Sequence, residues 1–184
     1  EQTFLTIIQP GRSVAVHPSP QNAVAVSWRC PASGEYSVAG RVEDLDSSCG
    51  DGIGWNLALE SGGAKRHLCQ GAFINGGQEL FSNAGGAESL ASIAMNEGDL
   101  LSLIVEPKTS HGCDTTLVDL QIESLTEKEK VWDLTQDLGG NVHQGNPHED
   151  RYGNSEVWRF LESTENGGAS GSGQALLAEW EKEI

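Results

Sequence analysis

The sequence predicts an all-β protein: an antiparallel, jelly-roll-like β-sandwich of about nine strands, followed by a long C-terminal loop and a flexible tail. Apolar and polar residues alternate along most of the chain; in residues 23–28, Val24, Val26 and Trp28 share one parity. Turn-forming residues interrupt these runs at short intervals, and the 184 residues include 23 glycines. Because a strand that buries one face reads with period two, these patterns favour two packed antiparallel sheets.

The strands follow from the alternating runs and the turns between them. Clear turn signals are Pro10-Gly11, Gly62-Gly63 and Gly76-Gly77. The predicted strands cover residues 3–8, 13–17, 23–28, 35–42, 55–59, 65–70 with 72–74, 89–95, 99–106 and 115–124. Residues 131–134 form a short apolar anchor, 139–154 a long polar loop, and 157–160 return to strand. No convincing helix is predicted before residue 125.

The chain is predicted to contain one module and a tail. Residues 1–162 form the β-sandwich, and residues 163–174, rich in Gly and Ser, form a flexible linker. In residues 175–184, Leu176, Leu177 and Trp180 recur at helical spacing. This last segment is expected to start a helix that belongs to a truncated neighbouring segment of a longer polypeptide.

Charge limits the partners that the chain can bind. The formal net charge is −16, and only 11 Lys and Arg are spread along the sequence. Nucleic acid and anionic membrane surfaces are disfavoured, because both need clustered positive charge. No stretch is apolar enough to span a bilayer. Neutral sugars, cations and basic partners remain.

The four cysteines favour disulfides in an exported protein over buried free thiols. They include no C-x-x-C pair, which disfavours a zinc ribbon. Three connectivities are possible. Cys49 and Cys113 lie in loops rich in Gly and Asp, whereas Cys30 and Cys69 lie at strand ends. The favoured pairs are therefore Cys49 with Cys113 and Cys30 with Cys69.

An acidic, glycine-rich loop over residues 41–55 is a candidate calcium site. Asp44, Asp46 and Asp51 alternate there with glycines, and the Cys49–Cys113 bridge would bring Asp114 close. Calcium prefers such carboxylate and carbonyl oxygens, although the spacing is not that of an EF-hand. The alternative is that these aspartates cap turns and face water. If calcium binds, its role is expected to be structural.

The loop over residues 143–158 is the candidate carbohydrate site. Sugars are held by bidentate hydrogen bonds from Asp, Asn and Arg to adjacent hydroxyls, with an aromatic ring under the C–H face of the sugar. The candidate residues are Asn146, His148, Asp150, Arg151, Tyr152 and Trp158. The alternative is a polar flap over a sheet edge, anchored by Trp132 and Trp158. No G-x-S-x-G motif is present, and no pair of carboxylates is placed for glycoside cleavage, so no catalytic residue is predicted.

Three stretches together resemble a known group of proteins. They are WRCPASGEYSVAGRV at 28–42, DLDSSCGDGIGW at 44–55 and NPHEDRYGNSEVW at 146–158. In this order they are similar to a carbohydrate-binding-module-like β-sandwich segment of the multidomain, cytochrome c-containing surface proteins of Planctomycetes. The resemblance covers residues 10–162. The haem motif C-x-x-C-H is absent, so the resemblance implies no haem function here.

The resemblance and the polar loop together lead to a functional expectation. The chain is expected to be a non-catalytic polysaccharide-binding module of a secreted, periplasmic or surface protein, stabilised by calcium and disulfides, with flanking domains in the same polypeptide. One alternative is a purely structural module that spaces or docks flanking cytochrome-like domains. A small glycoside hydrolase or lyase, with Asp150 or His148 in the reaction, is a third and less favoured hypothesis.

Overall fold

The chain forms short antiparallel strands joined by tight turns. The computed structural model describes residues 2–4, 6–163 and 174–177. The strands are β1 (Gln2–Phe4), β2 (Ile7–Gln9), β3 (Ala15–Val16), β4 (Ala23–Arg29), β5 (Gly34–Asp44), β6 (Ile53–Ser61), β7 (Ala64–Ala72), β8 (Gln78–Leu80), β9 (Ile93–Met95), β10 (Leu100–Pro107), β11 (Thr116–Ser124), β12 (Val131–Asp133), β13 (Trp158–Ser163) and β14 (Gln174–Leu176). The described helical segments are a 3-10 turn (Phe81–Ala84), α1 (Gly86–Ser89) and α2 (Leu134–Leu138).

Two antiparallel sheets account for most of these strands. The first has the order β14-β13-β4-β10-β6-β7. The second has the order β12-β11-β5-β8, with β3 also paired to β11 and β9 to β5. Strands β1 and β2 form a separate hairpin. The predicted all-β, sandwich-like class is therefore confirmed.

The main hydrophobic core is built from buried residues of both sheets. In the first sheet, Leu101 on β10 lies opposite Trp28 on β4, and both are fully buried. In the second, Val42 on β5 lies opposite Val118 on β11, again with no exposure. Both pairs belong to the same cluster. Since each fully buried aliphatic side chain contributes about 1.5–3 kcal/mol, this shared core is the main source of stability.

Two of the predicted strands are partly replaced by turns or helical segments. Residues 3–8 are a hairpin that turns at Thr6 rather than one strand. The prediction over 89–95 is correct only for Ile93–Met95, since the chain first makes the 3-10 turn and α1. Gly85, with a φ of 77°, lies between those two segments in the left-handed region that glycine favours. Phe81 anchors the turn in the core and is 1% exposed.

The C-terminal prediction is also corrected where the structure describes it. Gln174–Leu176 is strand β14, not the start of a helix, and it pairs with β13. Pairing with the sheet edge supplies backbone hydrogen bonds that a helix would otherwise make internally, so this context overrides the helical spacing. Residues 164–173 of the predicted linker and residues 178–184 lie outside the described residues.

The cysteine prediction is half correct. Cys49 and Cys113 form a disulfide with a Cα–Cα distance of 5.6 Å. Cys30 and Cys69 are free and buried, so the predicted second bridge is wrong. Cys30 follows β4 and Cys69 lies on β7, which are three strand positions apart in the first sheet. At about 4.8 Å per strand this is roughly 14 Å, about twice the Cα separation that a disulfide spans.

Candidate functional site

The C-terminal loop, residues 143–158, is organised around the buried carboxylate of Asp150. This side chain is 4% exposed. Its Oδ2 accepts hydrogen bonds from Trp132 Nε1 at 2.6 Å and from Asn154 Nδ2 at 2.8 Å. Its Oδ1 accepts the backbone N–H groups of Tyr152 at 2.9 Å and of Asn154 at 2.8 Å. Four donors satisfy the charge, so Asp150 holds the loop closed and does not face a ligand.

Two further predicted sugar ligands point into the protein. Asn146 donates from Nδ2 to the carbonyls of Phe160 and Leu177, and its Oδ1 accepts the backbone N–H of Phe160. His148 is 8% exposed, and its backbone pairs with that of Trp158. Burial lowers the pKa of His148. Both residues attach the loop to β13, and Asn146 also secures the segment after β14.

Trp158 cannot act as a sugar platform, because it is fully buried. Its Nε1 donates to Asp137 Oδ2 at 2.8 Å, and Arg151 Nε donates to the other oxygen of the same carboxylate at 2.5 Å. Burial raises the pKa of Asp137, although both donors act against that rise. Tyr152 is 41% exposed, with its hydroxyl bonded to the backbone N–H and C=O of Val131.

The six predicted carbohydrate ligands therefore do not form an open site. Asn146, His148, Asp150 and Trp158 serve internal contacts, which corrects the prediction for these four. Arg151 and Tyr152 are exposed and Asn146 is half-buried, but a protein partner already holds each of them. These internal contacts favour the alternative interpretation of a polar flap over a sheet edge, anchored by Trp132 and Trp158.

The acidic end of the sandwich is made by residues 44–52, 74–77 and 108–114, with His17 beside them. Asp44, 6% exposed, accepts the backbone N–H groups of Asp46 and Gly76. Asp46 accepts hydrogen bonds from the backbone and side chain of Ser48. Burial raises the pKa of Asp46, but hydrogen bonds outweigh it and the pKa lies below its usual value. These two aspartates brace the turn after β5.

Asp51 and Asp114, the other two aspartates of the acidic end, differ in their hydrogen bonding. Asp51 accepts the backbone N–H groups of Thr109 and Ser110, and the first of these lowers its pKa most. Asp114 is fully buried, and neither carboxylate oxygen has a hydrogen-bond partner. Burial raises the pKa of Asp114 to about 6.

The four predicted calcium ligands lie in one region, but not as a ready-made cage. The Cys49–Cys113 bridge joins the two loops, and the Asp114 carboxylate interacts electrostatically with Asp44 and Asp51. His17 and His111 also act on it and lie edge to face, 6.4 Å between ring centroids. Within the described residues, no group of three or more His, Cys, Asp or Glu side chains is arranged to hold a metal ion.

A groove that the sequence did not predict crosses the outer face of the second sheet. It consists of two adjoining depressions of about 300 and 420 Å³ that share Ala39, Gly40, Leu80 and Gln121. We call it the outer groove. Ala39 on β5 lies opposite Gln121 on β11 and gives the groove a low floor. Its walls rise on one side from residues 80–91 and on the other from residues 133–136.

Planar polar groups line the wider depression. Arg41 donates from Nε to Asp119 Oδ2 at 2.8 Å and from Nη1 to Glu43. Asp119 Oδ1 accepts the hydroxyl of Thr135 at 3.1 Å. Gln121 is exposed between these groups. Among the described lining residues none is aromatic, so recognition there would use hydrogen bonds and small apolar contacts.

The sequence contains only part of the signal for this groove. Parity places Ser37, Ala39 and Arg41 on the outer face of β5, because Val38 and Val42 are apolar and point inward. The walls could not be predicted, because they come from the 3-10 turn, α1 and α2. These segments are too short to show helical periodicity.

Comparisons with protein-family models, with curated proteins and with solved structures find no match to this chain. In the part of the chain that the structure describes, no helix has the length and apolar character needed to cross a membrane.

Proposed function

We propose that this chain is a non-catalytic polysaccharide-binding module of a larger secreted or surface protein, and that the sugar chain binds in the outer groove. The observation that carries the proposal is the shape and chemistry of that groove: an open trough across a sheet face, with a small-residue floor at Ala39 and amide, guanidinium and carboxylate groups along it. Such groups match the paired hydroxyls of a sugar ring.

Two further features support the proposal. The net charge of −16 favours a neutral glycan over an anionic one, because like charges repel. The Cys49–Cys113 disulfide agrees with an oxidising compartment, which is where extracellular glycans are met. A module of this kind would raise the local concentration of a linked domain at the glycan surface.

Filling the groove tests the proposal. Ala39→Phe places a ring on the groove floor at an exposed strand position, where phenylalanine suits the backbone. Ala72→Phe is the matched control, since Ala72 is exposed at the end of β7 in the other sheet. In affinity electrophoresis against a panel of neutral polysaccharides, the unmodified chain and Ala72→Phe are expected to be retarded alike. Ala39→Phe is expected to lose at least about tenfold in affinity.

The outcomes against the proposal are distinct. No retardation of the unmodified chain by any polysaccharide would remove the binding function. Equal retardation of Ala39→Phe and the unmodified chain would remove the outer groove as its site.

A structural spacer or docking module is the second candidate function. The hydrogen bonds that Asn146 makes to two separate segments favour it. Asn146 holds the carbonyls of Phe160 and Leu177 together, so the C-terminal loop fixes β14 against the sandwich. Asn146→Ala is expected to speed backbone hydrogen exchange in residues 174–177 while polysaccharide binding is unchanged. A module that acts only as a spacer would show the same exchange result but no polysaccharide binding in either chain.

A further inference from the structure

The carboxylate of Asp114 is the most unusual polar group in the described part of the molecule. It is fully buried, and both of its oxygens lack a hydrogen-bond partner. Isolated buried carboxylates are costly, and native proteins pair them, protonate them or place them on a metal. Asp150 shows the ordinary solution in the same protein, with four N–H donors around a carboxylate that is 4% exposed.

The backbone around Asp114 is held firmly on both sides of the residue. The preceding residue, Cys113, is bonded to Cys49. The carbonyl of Asp114 accepts the Thr116 hydroxyl at 2.9 Å, and Leu45 donates its N–H to the carbonyl of Thr115 at 2.8 Å. The backbone of Asp114 is therefore fixed at the acidic end by the neighbouring disulfide and by the first pairing of β5 with β11.

The groups that surround Asp114 do not compensate its negative charge. Asp44 and Asp51 add negative potential, whereas His17 and His111 act in the opposite sense without donating a hydrogen bond to it. The nearby Lys108 directs its Nζ to the carbonyl of Asp51, at 2.7 Å. Within the described residues, no protein cation therefore neutralises Asp114 directly.

The carbonyl oxygen of Gly112 is a second oxygen in the neighbourhood of the Asp114 carboxylate. A Cβ placed on Gly50 would lie 2.4 Å from the carbonyl oxygen of Gly112 and 3.5 Å from Asp114 Oδ1. Both oxygens therefore lie close to Gly50, where the φ of 87° and the absence of a Cβ let the Gly112 backbone approach closely. A carboxylate and a backbone carbonyl in such proximity are the kinds of oxygen ligand that a hard divalent cation prefers.

We propose that Asp114 is the central ligand of a calcium site at the acidic end, with Gly112 supplying a carbonyl oxygen and Asp44 and Asp51 contributing negative charge. Calcium takes six to eight oxygen ligands, and carbonyls and waters are common among them, so such a site does not need three acidic side chains in contact beforehand. The bound ion would neutralise the buried carboxylate and join the two loops that the disulfide already connects. This proposal is independent of the outer groove.

Calcium titration of the full, unmodified chain is the first test. Isothermal titration calorimetry is expected to show one site per chain. Thermal unfolding is expected to shift upward by about 5 °C or more in saturating calcium relative to chelator. Sodium chloride at matched ionic strength is the necessary control, because general screening also stabilises a chain of charge −16.

Variants then locate the site. Asp114→Asn removes the charged ligand and also the uncompensated buried charge, so the chain is expected to fold and to lose most of the calcium-induced shift. Glu123→Gln is the matched control, because it removes one negative charge from an exposed position on β11. This control is expected to keep the full shift.

Three outcomes would overturn the proposal. The first is the absence of calcium binding to the unmodified chain. The second is an equal shift with sodium chloride, which would reduce the effect to screening. The third is a full calcium shift in Asp114→Asn, which would place any bound ion elsewhere.

Discussion

Two buried aspartates at different places in the sandwich show how differently one residue type can be used. Asp150, in the C-terminal loop, is 4% exposed and receives four N–H donors. Asp114, at the acidic end, is fully buried and receives none. Protein donors compensate the charge of the Asp150 carboxylate, whereas the Asp114 carboxylate needs a proton or a bound cation.

The difference separates two regions that the sequence suggested as ligand sites. The C-terminal loop is dense in planar polar groups, but those groups bind Trp132, Phe160 and Asp137. At the acidic end, the candidate calcium site, Asp44, Asp46 and Asp51 accept hydrogen bonds within turns, as the alternative interpretation expected. Their neighbour Asp114 is the group with unmet bonding capacity. The unmet capacity of a polar group, more than its type, therefore marks a site.

Removal of the Asp150 carboxylate should give the largest effect. Asp150→Ala leaves the indole N–H of Trp132 and the N–H groups of Tyr152 and Asn154 without their acceptor. Each such orphaned donor costs about 1–3 kcal/mol, so a loss of about 3–5 kcal/mol in the free energy of unfolding is expected by urea denaturation. The adjacent, exposed Glu149→Ala should change it by less than about 0.5 kcal/mol. A cost below about 1 kcal/mol for Asp150→Ala would mean that the loop is not held by this carboxylate.

Loss of the disulfide should come next, and it tests the acidic end. Cys49 and Cys113 are separated by 64 residues, and a bridge of that span stabilises a domain by about 2–4 kcal/mol. The double change Cys49→Ser with Cys113→Ser should lower the free energy of unfolding by that amount. Dithiothreitol should destabilise the unmodified chain to the same level and leave the double variant unchanged. An effect of reductant on the double variant would contradict the assignment, because Cys30 and Cys69 are free thiols.

Removal of the unpaired charge of Asp114 is expected to raise the free energy of unfolding, whereas the two preceding changes lower it. Because the folded-state pKa is raised to about 6 from 3.8, the folded state binds more protons between those values. Stability from this group is therefore full below about pH 4, falls as the pH rises to about 6 and is level above. In chelator, Asp114→Asn should gain stability over the unmodified chain by about 2–3 kcal/mol between pH 4 and pH 8.

Paired urea titrations of the two chains at each pH measure this difference. His17, His111, Asp44 and Asp51 interact electrostatically with Asp114 and are present in both chains. A difference that does not vary with pH would show that folding leaves the pKa of Asp114 unshifted, and would contradict the burial of an uncompensated carboxylate.

The sequence predicts the sheets well and the sites poorly, for physical reasons that particular residues make clear. Alternation places Val42 and Val118 inward whatever their partners are, so the fold class follows from local pattern. Strand order does not, and the Cys30–Cys69 prediction fails because β10 and β6 separate β4 from β7. Whether Asp150 points in or out depends on Trp132, which is 18 residues away in the chain and comes close only in the folded structure. Parity could likewise place Ala39 on an outer face but could not supply the walls of the groove.

The smallest expected effect concerns Tyr152, which supports the C-terminal loop and is also a predicted sugar ligand. Its hydroxyl is bonded to the N–H and C=O of Val131, and its ring lies edge to face with Trp132 at 5.5 Å between centroids. Tyr152→Phe keeps the ring and loses the hydroxyl, so a cost of about 0.5–1.5 kcal/mol is expected by urea denaturation. Affinity electrophoresis with any polysaccharide that retards the unmodified chain should be unaffected, because the ring stays and the outer groove is untouched. If the free energy of polysaccharide binding falls by more than the free energy of unfolding, Tyr152 takes part in recognition. The C-terminal loop would then supply an aromatic platform that the buried Trp158 cannot provide.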